Sequence, residues 1–403
     1  MKELKHYMNL RRQKLLNLVK GNDVLLILAP PVYVRTADQH HDFRQSSDFL
    51  YLANWEKENS ALLFHEGKFN LFIEKPTPMR LLWDWHVPDI DEAKVITGID
   101  NVFYKEELPS HLSKFKNKNL HYDFGKHAAN DKFVLEYAWN SITSTQNSVG
   151  ILRMIKDEYE ISMLKKSCEI SALGHKDAWQ KLRPGMNESD FSLEIEFAFR
   201  KHGAQRNAYG PIIAGGKNAT CLHYSSNNQK LNENELLLVD AAGEYNYYAS
   251  DITRTFPING WKSGGTHEQQ IIYQIVLEAQ LKSIAIAKIG MRPMEQHKQT
   301  IEWLKEGLLK NGILKDPEHI KKLYPHGTGH WLGLDVHDES PREINGEAVE
   351  YVPGMVFTVE PGLYFYAEMA EIYPKFAGIG IRIEDDILIT ENEPVVMTAA
   401  IGK

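Results

Sequence analysis

The chain of 403 residues is poor in cysteine, has no excess of positive charge and has no long hydrophobic run. Its two cysteines, Cys168 and Cys221, form no CxxC pair, which excludes a disulfide framework and a thiolate zinc knuckle. With 46 basic and 54 acidic residues the net charge is −8, which argues against a nucleic-acid partner. The most apolar run, VLLILAPPVYV at 24–34, is too short to span a membrane and contains two prolines. We therefore predict a protein without nucleic-acid or membrane partners.

The first stretch of the chain, MKELKHYMNLRRQKLL, is charged and has a helical pattern. It lacks the apolar core and the small-residue cleavage site of a secretory signal. Together with the two unpaired cysteines, this pattern predicts a cytoplasmic protein.

The length predicts two domains, because 403 residues exceed a single ordinary hydrophobic core. The first part mixes the strand candidates VLLILA, ALLFHE and FNLFIE with helical stretches. From Asp157 apolar residues recur at helical spacing as far as Leu182, and the pattern stops at the RPG of 183–185. We place the boundary just before this helix and predict domains at 1–150 and 151–403.

The second half contains a weak internal repeat. RPGM precedes a helical pattern at 188–203 that ends in glycine, and GMRPM precedes another at 295–312 that also ends in glycine. His223 and His330 follow these helices at similar distances. Two related α/β halves that face each other would form a central cleft.

Two β-rich runs flank AAGEYN in the segment 235–257, a pattern that predicts a β-hairpin. If the turn centres on Tyr245 and Asn246, Asp240 lies directly opposite Asp251. Two like charges opposed on one sheet face are destabilising, the more so when they are buried. We therefore expect positive charge between them; the alternative is two exposed aspartates beside a turn.

Two further carboxylates end or interrupt apolar strand patterns. VFTVEPGLY places Glu360 at a strand end, where Pro361 stops the pairing. GIGIRIEDDILI places Glu384 inside a long apolar strand, on the same face as Arg382 because side chains alternate. A glutamate in such a strand is rarely buried without a partner, so an Arg382–Glu384 ion pair is the simpler alternative to a metal site.

The stretch HGTGHWLGLDVHD at 326–338 adds three histidines to these carboxylates. Asp240, Asp251, Glu360 and Glu384 together carry four negative charges, which two divalent cations would neutralise. An oxygen-rich set with one imidazole suits Mn²⁺, Mg²⁺, Co²⁺ or Fe²⁺ rather than a thiolate-type zinc site. Two such ions lower the pKa of water toward neutrality and so generate a hydrolytic nucleophile.

These motifs resemble those of the M24B metallopeptidases, the family of Xaa-Pro aminopeptidase (aminopeptidase P) and Xaa-Pro dipeptidase. The stretches that match are VDAAGEYNYYASDITRTFP, HGTGHWLGLDVHD, TVEPGLY, GIRIEDDILI and, in the first domain, RTADQHHDFRQSSDFLYLANW. The resemblance covers essentially the whole chain. It implies an α/β (α+β) fold class, with a C-terminal pita-bread fold at 151–403 and an N-terminal creatinase/aminopeptidase P-like α/β domain at 1–150.

The resemblance also implies a metal centre and a reaction. Two divalent metal ions, with Mn²⁺ as the first candidate, would be held by Asp240, Asp251, His330, Glu360 and Glu384. Asp240 would bind one ion terminally, Asp251 and Glu384 would bridge both, and His330 and Glu360 would complete the second. The implied reaction is hydrolysis of the peptide bond between an N-terminal residue and a following proline.

Three other histidines match cleft positions of the family. By resemblance, His337 would contact substrate and steady the tetrahedral intermediate, and His223 would aid proton handling near the scissile bond. His326 would line the same cleft. A hydrogen-bonded structural histidine is the alternative for each.

Three further roles complete the implied site. Glu360 is the candidate to carry a proton from water to the leaving nitrogen. Arg382 would hold a carboxylate of the site, and Tyr364 would line the cleft and contact substrate.

Three functions stay open on the sequence. An Xaa-Pro aminopeptidase acting on peptides with proline at the second position comes first, and an Xaa-Pro dipeptidase restricted to dipeptides is the alternative. A non-catalytic pita-bread binding protein is a remote third, because such proteins lose metal ligands and this chain keeps all five. The stretch LLWDWHVPD at 81–89 departs from the family pattern, in a region that shapes subunit contacts among relatives. A homodimer or homotetramer is expected.

Overall fold

The computed structural model describes residues 2–21, 23–83, 86–262 and 264–403. The chain forms two compact units: residues up to Arg153 with Glu339–Pro341, and Met154–Asp338 with Arg342–Lys403. The predicted boundary after residue 150 lies inside the helix Val149–Met154, and the assignment of domains 1–150 and 151–403 stays a prediction. Within the described ranges, no helix is both long and apolar enough to cross a bilayer.

The first unit is built around one mixed sheet with the strand order β6-β5-β4-β1-β7-β8. Its helices are α1 Lys2–Leu15, α2 Ser47–Ala53, α3 Pro78–Trp83, α4 Ile90–Thr97, α5 Leu108–Leu112, α6 Ala128–Val134 and α7 Val149–Met154. Its strands are β1 Asp23–Leu28, β2 Val34–Thr36, β3 Gln39–His40, β4 Ala61–His65, β5 Lys68–Ile73, β6 Asn101–Tyr104, β7 Asn119–His121 and β8 Ser141–Thr143. The three predicted strands VLLILA, ALLFHE and FNLFIE are confirmed as β1, β4 and β5. Of the divergent stretch LLWDWHVPD, Asp84 and Trp85 lie outside the described residues.

The second unit carries pairs of long helices and several small sheets. Its helices are α8 Glu158–Trp179, α9 Glu188–Lys201, α10 His267–Ile286, α11 Pro293–Lys310, α12 Ile320–Leu323 and α13 Ala367–Ile372. Its strands are β9 Arg206–Asn207, β10 Ile212–Gly215, β11 Leu236–Asp240, β12 Gly243–Tyr245, β13 Tyr248–Ala249, β14 Thr253–Pro257, β15 Glu343–Ile344, β16 Glu347–Ala348, β17 Val356–Val359, β18 Gly362–Tyr364, β19 Gly380–Arg382, β20 Asp385–Leu388 and β21 Val395–Val396. The sheets have the orders β10-β11-β14, β13-β12-β9, β17-β20-β21, β18-β19 and β15-β16.

The helices predicted from periodicity are confirmed, and their first turns explain where they begin. The side chain of Asp157 caps α8 by accepting a hydrogen bond from the backbone N–H of Glu160, and the carboxylate of Glu160 accepts one from the backbone N–H of Asp157. Asn187 caps α9 in the same way. Because both caps satisfy N–H groups that a helix leaves unpaired, each helix begins at a fixed residue and holds its buried face against the sheets.

The predicted hairpin forms, but its register is wrong by two residues. The turn centres on Asn246 and Tyr247, whose φ angles are 48° and 68°, and not on Tyr245 and Asn246. A two-residue turn with positive φ at both positions matches the twist of the paired strands. As a result Asp240 is paired with Thr253, and Asp251 precedes β14.

The prediction of one long strand for GIGIRIEDDILI is also wrong. The segment forms two strands of different sheets, because β19 pairs with β18 whereas β20 pairs with β17. Glu384 lies in the connection, where its backbone N–H donates to the carbonyl of Thr253 at 3.1 Å. The rule that alternate residues share a face fails at this break, so Arg382 and Glu384 are not neighbours on one strand face.

A buried histidine in α8 supports the end of β11. His175 is fully buried, and its Nε2 lies 2.7 Å from the carbonyl oxygen of Ala241, so Nε2 carries the proton. Burial lowers the pKa of His175 from 6.5 to about 3, so the imidazole stays neutral in the folded protein.

We predict that His175 makes the protein less stable in mild acid. Between about pH 6.5 and pH 3, His175 is protonated in the unfolded chain but neutral in the folded protein. The free energy of unfolding therefore decreases as the pH is lowered through this range. Between pH 7 and pH 5 the wild type should lose about 2 kcal/mol more than the His175→Gln variant. Urea unfolding of chelator-treated protein at both pH values measures this difference. The variant His267→Gln, at an exposed position of α10, is the control, and equal losses in wild type and His175→Gln would contradict the prediction.

Candidate metal centre

Strand ends bring four acidic side chains of the second unit together. Asp240 is the last residue of β11, and Asp251 lies two residues before β14. Glu360 directly follows β17, and Glu384 connects β19 to β20. Asp240 ends the ladder of β11, and the other three residues lie just outside a strand, so all four carboxylates can turn toward a shared point.

The stretch HGTGHW runs beside β17 and presents His330 to these carboxylates. The backbone N–H of Thr358 donates to the carbonyl of His330 at 3.0 Å, and that of Glu360 donates to the carbonyl of Thr328 at 2.8 Å. The backbone of Gly329 lies so close to Thr358 that no side chain fits between them. Glycine at position 329 thus permits the close approach of two backbone segments.

Three of the predicted ligands form a cluster that could hold an ion. Asp251, His330 and Glu384 each offer one ligand atom, and these atoms lie within 4.8 Å of one another. The Nε2 of His330 lies 3.4 Å from Oδ2 of Asp251 and 3.5 Å from Oε1 of Glu360. One imidazole nitrogen therefore faces two carboxylates.

The predicted role of Arg382 as the holder of a carboxylate has a specific partner. Its Nη2 donates to Oδ2 of Asp240 at 2.6 Å, and its Nη1 donates to the hydroxyl of Tyr364 at 3.1 Å. Among the described residues its ion pair is thus with Asp240, so the alternative of an Arg382–Glu384 pair is wrong. Glu384 instead accepts a hydrogen bond of 2.6 Å from the hydroxyl of Thr253.

The electrostatics of the cluster reflect crowded negative charge. Burial, followed by the charges of Asp251 and Glu360, raises the pKa of Glu384 well above its ordinary value. Burial raises the pKa of Glu360 to about 7, although His330 and Arg382 oppose this rise. Burial alone would lower the pKa of His330, but Asp251 and Glu360 outweigh it and raise that pKa to about 9. The carboxylates therefore need positive charge among them to be ionised together.

The other predicted histidines differ in their surroundings. His326 is within hydrogen-bond reach of the Tyr364 hydroxyl through Nε2 at 2.9 Å, and its Nδ1 lies 3.7 Å from Oε2 of Glu360. Burial, with Arg382 next, lowers its pKa to about 3. The ring of His337 packs 4.2 Å from that of His330, and burial lowers its pKa as well. His223 is exposed, and it adds to the electrostatic lowering of the pKa of both His326 and His337.

Two observations fit this donor set to divalent cations. The Oδ1 of Asp240 is buried, and within the described part of the chain it has no hydrogen-bond partner. A buried carboxylate oxygen without a partner is costly, and a cation would satisfy it. Second, carboxylate oxygens with one imidazole are the donors that hard or borderline divalent ions prefer.

The structure adds residues that the sequence did not reveal. The hydroxyl of Tyr209 donates to Oδ1 of Asp251 at 2.6 Å, and the backbone N–H of Asp251 donates to Oδ2 of Asp386 at 3.0 Å. Cys168 donates to the same Asp386 oxygen at 3.2 Å. The sequence did contain a signal for Asp386, because it is the last of three consecutive acidic residues that interrupt the apolar segment IEDDILI. Tyr209 lies before β10 and has no local pattern that marks it.

Comparison with known proteins agrees with this geometry. The model of metallopeptidase family M24 matches residues 162–391, and that of the aminopeptidase P N-terminal domain matches residues 8–122. The Xaa-Pro aminopeptidase of Haemophilus influenzae is 34% identical over 98% of this chain and 94% of its own. Aminopeptidase PepP of Pseudomonas aeruginosa superposes with a TM-score of 0.91 at 33% identity, over 99% of this chain and 96% of that one. Zinc-substituted aminopeptidase P of Escherichia coli, in complex with product, gives a TM-score of 0.90 at 32% identity, with coverage of 99% and 96%.

The chain belongs to metallopeptidase family M24. The predicted family and fold class are confirmed, because the solved structures that superpose with TM-scores of 0.90 and 0.91 are aminopeptidase P enzymes. Membership implies an enzyme that uses a divalent metal.

Proposed function

We propose that this protein is an Xaa-Pro aminopeptidase, which removes an N-terminal residue from peptides that carry proline at the second position. The observation that carries the proposal is the convergence of Asp251, His330 and Glu384. Beside them lies Asp240, whose buried Oδ1 has no hydrogen-bond partner among the described residues. The names of the relatives support the same activity, and they do not favour the dipeptide-restricted alternative. The remote alternative of a non-catalytic binding protein is disfavoured by the intact donor set. The catalytic residues belong to the proposed domain 151–403.

Asp240, Asp251, His330, Glu360 and Glu384 would hold two divalent ions, and Mn²⁺ is the first candidate. The bound ions supply a water nucleophile of lowered pKa together with Lewis-acid polarisation of the scissile carbonyl. Imidazole and carboxylate donors leave the choice among similar ions to geometry and availability.

The chain's own residues supply proton handling and orientation. Glu360 faces His330 with one oxygen and His326 with the other, so its carboxylate can receive a proton and pass it to the leaving nitrogen. His337 would contact the substrate and steady the tetrahedral intermediate, and His223 would contact the substrate and aid proton handling near the scissile bond. Arg382 fixes Asp240 and orients the hydroxyl of Tyr364, which would contact substrate together with His326.

The substrate class explains why such residues are needed. An Xaa-Pro amide has no N–H, so an acceptor on the enzyme receives no hydrogen bond from the substrate at this point. The leaving nitrogen is a ring nitrogen that must be protonated as the bond breaks. The carboxylate of Glu360, beside the neutral imidazole of His326, would provide that proton near neutral pH.

The proposal includes a cytoplasmic homodimer or homotetramer. The free thiol of Cys221 is exposed, which suits a reducing compartment. In α3 of the first unit Met79, Leu82 and Trp83 are 66%, 76% and 79% exposed, and such apolar side chains are common in subunit interfaces. Light scattering of the purified protein measures the oligomeric state.

A paired hydrolysis assay tests the activity. Chelator-stripped protein should regain activity when Mn²⁺ is added. It should cleave a longer peptide that begins with Xaa-Pro and, more slowly, the Xaa-Pro dipeptide. A peptide with alanine in place of the proline is the control and should be cleaved poorly. Cleavage of the dipeptide alone would establish the dipeptidase instead. If neither peptide is cleaved with Mn²⁺ or another divalent ion, the catalytic proposal fails.

A further inference from the structure

Behind the candidate metal centre lies a buried carboxylate that the proposed reaction does not use. Asp385, the neighbour of Glu384, is fully buried and has several donors. The hydroxyl of Thr398 donates to its Oδ1 at 2.7 Å, and the amide of Gln280 donates to its Oδ2 at 2.8 Å. Asp385 also pairs across the sheet with Val359, the residue before Glu360. One carboxylate therefore adjoins two of the candidate ligands through the backbone.

A buried arginine ties the same carboxylate to the backbone of the ligand segments. Arg254 of β14 donates from Nη2 to Oδ1 of Asp385 at 2.7 Å. Its Nη1 donates to the carbonyl of Glu384 at 2.5 Å and to that of Thr253 at 3.0 Å. Arg254 thus holds the strand that follows Asp251 and the connection that carries Glu384 in one fixed relation.

The remaining donors of Arg254 are bound by the last segment of the sequence, Thr398–Lys403, here called the strap. Its Nε donates to the carbonyl of Gly402 at 3.2 Å, and its Nη2 donates to that of Ile401 at 3.2 Å. The Nζ of Lys403 lies 2.5 Å from Oδ2 of Asp385 and donates to Oε1 of Gln280 at 2.8 Å. The Lys403 side chain is 17% exposed, so its ammonium is drawn inward from the surface.

We infer that the strap is a positioning element of the metal centre, and that Lys403 acts through Asp385 and Arg254 to fix the backbone of Glu384. This inference rests on the proposed function. Three contacts link the strap to the metal centre. Lys403 contacts Asp385, Asp385 accepts from Arg254, and the guanidinium of Arg254 donates to the carbonyl of Glu384. Each contact is a charge-assisted hydrogen bond, which is stronger than one between neutral groups, and both Asp385 and Arg254 are buried.

The geometry explains why the strap should matter for metal binding as well as for folding. The buried carboxylate of Asp385 contacts two cations, Arg254 and Lys403, and two neutral donors, Thr398 and Gln280. If Lys403 is lost, Arg254 alone compensates Asp385, and its contact with the Glu384 carbonyl weakens. Partners that orient metal ligands typically contribute 10–100-fold to metal affinity.

The test measures Mn²⁺ binding to chelator-stripped protein by isothermal titration calorimetry at 25 °C. The Lys403→Met variant keeps the length and the apolar stem but removes the ammonium. We expect it to bind Mn²⁺ about tenfold more weakly, the lower end of the range for such partners. Lys403→Arg should restore most of the affinity. Lys288→Met, which removes a lysine paired at the surface with Glu393, should bind as the wild type does.

The thermal midpoint of each metal-free variant separates positioning from simple stability. Mn²⁺ affinity equal to that of the wild type in Lys403→Met would overturn the inference, whether or not the thermal midpoint is lowered. Weaker binding that Lys403→Arg restores would support it. A wild-type chain that takes up no divalent ion would refute the proposed function, and this outcome is distinguishable from failure of the variant alone.

Discussion

Replacing Glu384 with glutamine should abolish hydrolysis of Xaa-Pro peptides, with kcat/KM lowered by about 10³-fold or more. The ligand atom of Glu384 lies within 4.8 Å of those of Asp251 and His330, at the point where a cation would be held. Glutamine keeps the size of the side chain and an oxygen that can accept from Thr253, but it removes the negative charge. Steady-state kinetics, together with the metal content of the dialysed protein, measure both consequences.

The matched control for this change is Glu347→Gln, at an exposed position of β16. It should retain wild-type kcat/KM and metal content. In metal-free protein Glu384→Gln should not lower the thermal midpoint, because it removes one charge from a cluster in which negative charges repel. Full activity of Glu384→Gln with its metal retained would refute the assignment of Glu384 as a ligand.

Replacing Arg382 with methionine should produce the largest loss of stability. The guanidinium is buried and donates to Asp240 and to Tyr364, so its removal leaves an unpaired buried carboxylate. Loss of one partner of a buried ion pair typically costs about 3–5 kcal/mol, and we expect a loss at the lower end of that range. With Mn²⁺ bound the loss should be smaller, because the ion compensates the charge of Asp240. Urea unfolding with and without chelator measures the two losses.

Arg292→Met is the control for Arg382, because Arg292 pairs with Glu350 at the surface, where both side chains are about half exposed. An exposed pair contributes little to stability, so this variant should unfold like the wild type. Similar losses of unfolding free energy in the two variants would contradict the prediction, because they would show that burial of the Arg382–Asp240 pair does not determine the loss.

Local patterns in the sequence were sufficient to find the acidic residues of the candidate site. Each of Asp240, Glu360 and Glu384 ends or interrupts an apolar run, and a charge in such a run needs a physical reason. The helices α8, α9 and α11 were also predictable, because apolar spacing, the caps of α8 and α9 and the proline at the start of α11 are local properties. Each of these features depends only on residues that are close together in the sequence.

The errors arose where the outcome depends on distant segments. The hairpin register shifted because positive φ at Asn246 and Tyr247 sets the turn, and sequence alone did not show that a tyrosine would adopt such an angle. The strand predicted at 378–389 is divided because β18 pairs with its first part and β17 pairs with its second part. Strand partners that are distant in sequence cannot be read from the strand itself.

The supporting residues were missed for the same reason. Tyr209 contacts Asp251, and Arg254 contacts Glu384 and Asp385, only after three or more segments have come together. An arginine beside an aspartate motif is indistinguishable from a surface charge until its burial is known. The resemblance to a known family named the ligands, but the network that orients them required the fold.

The close approach of Gly329 to β17 has a consequence for substitution. A Cβ atom at Gly329 would lie 1.8 Å from the carbonyl oxygen of Thr358, whereas one at Gly327 would have no heavy atom nearer than 3.7 Å. Because the obstacle at Gly329 is backbone, no compensating side-chain change elsewhere can make room. Within HGTGH, the steric limit on substitution therefore falls on position 329, beside His330, and not on position 327.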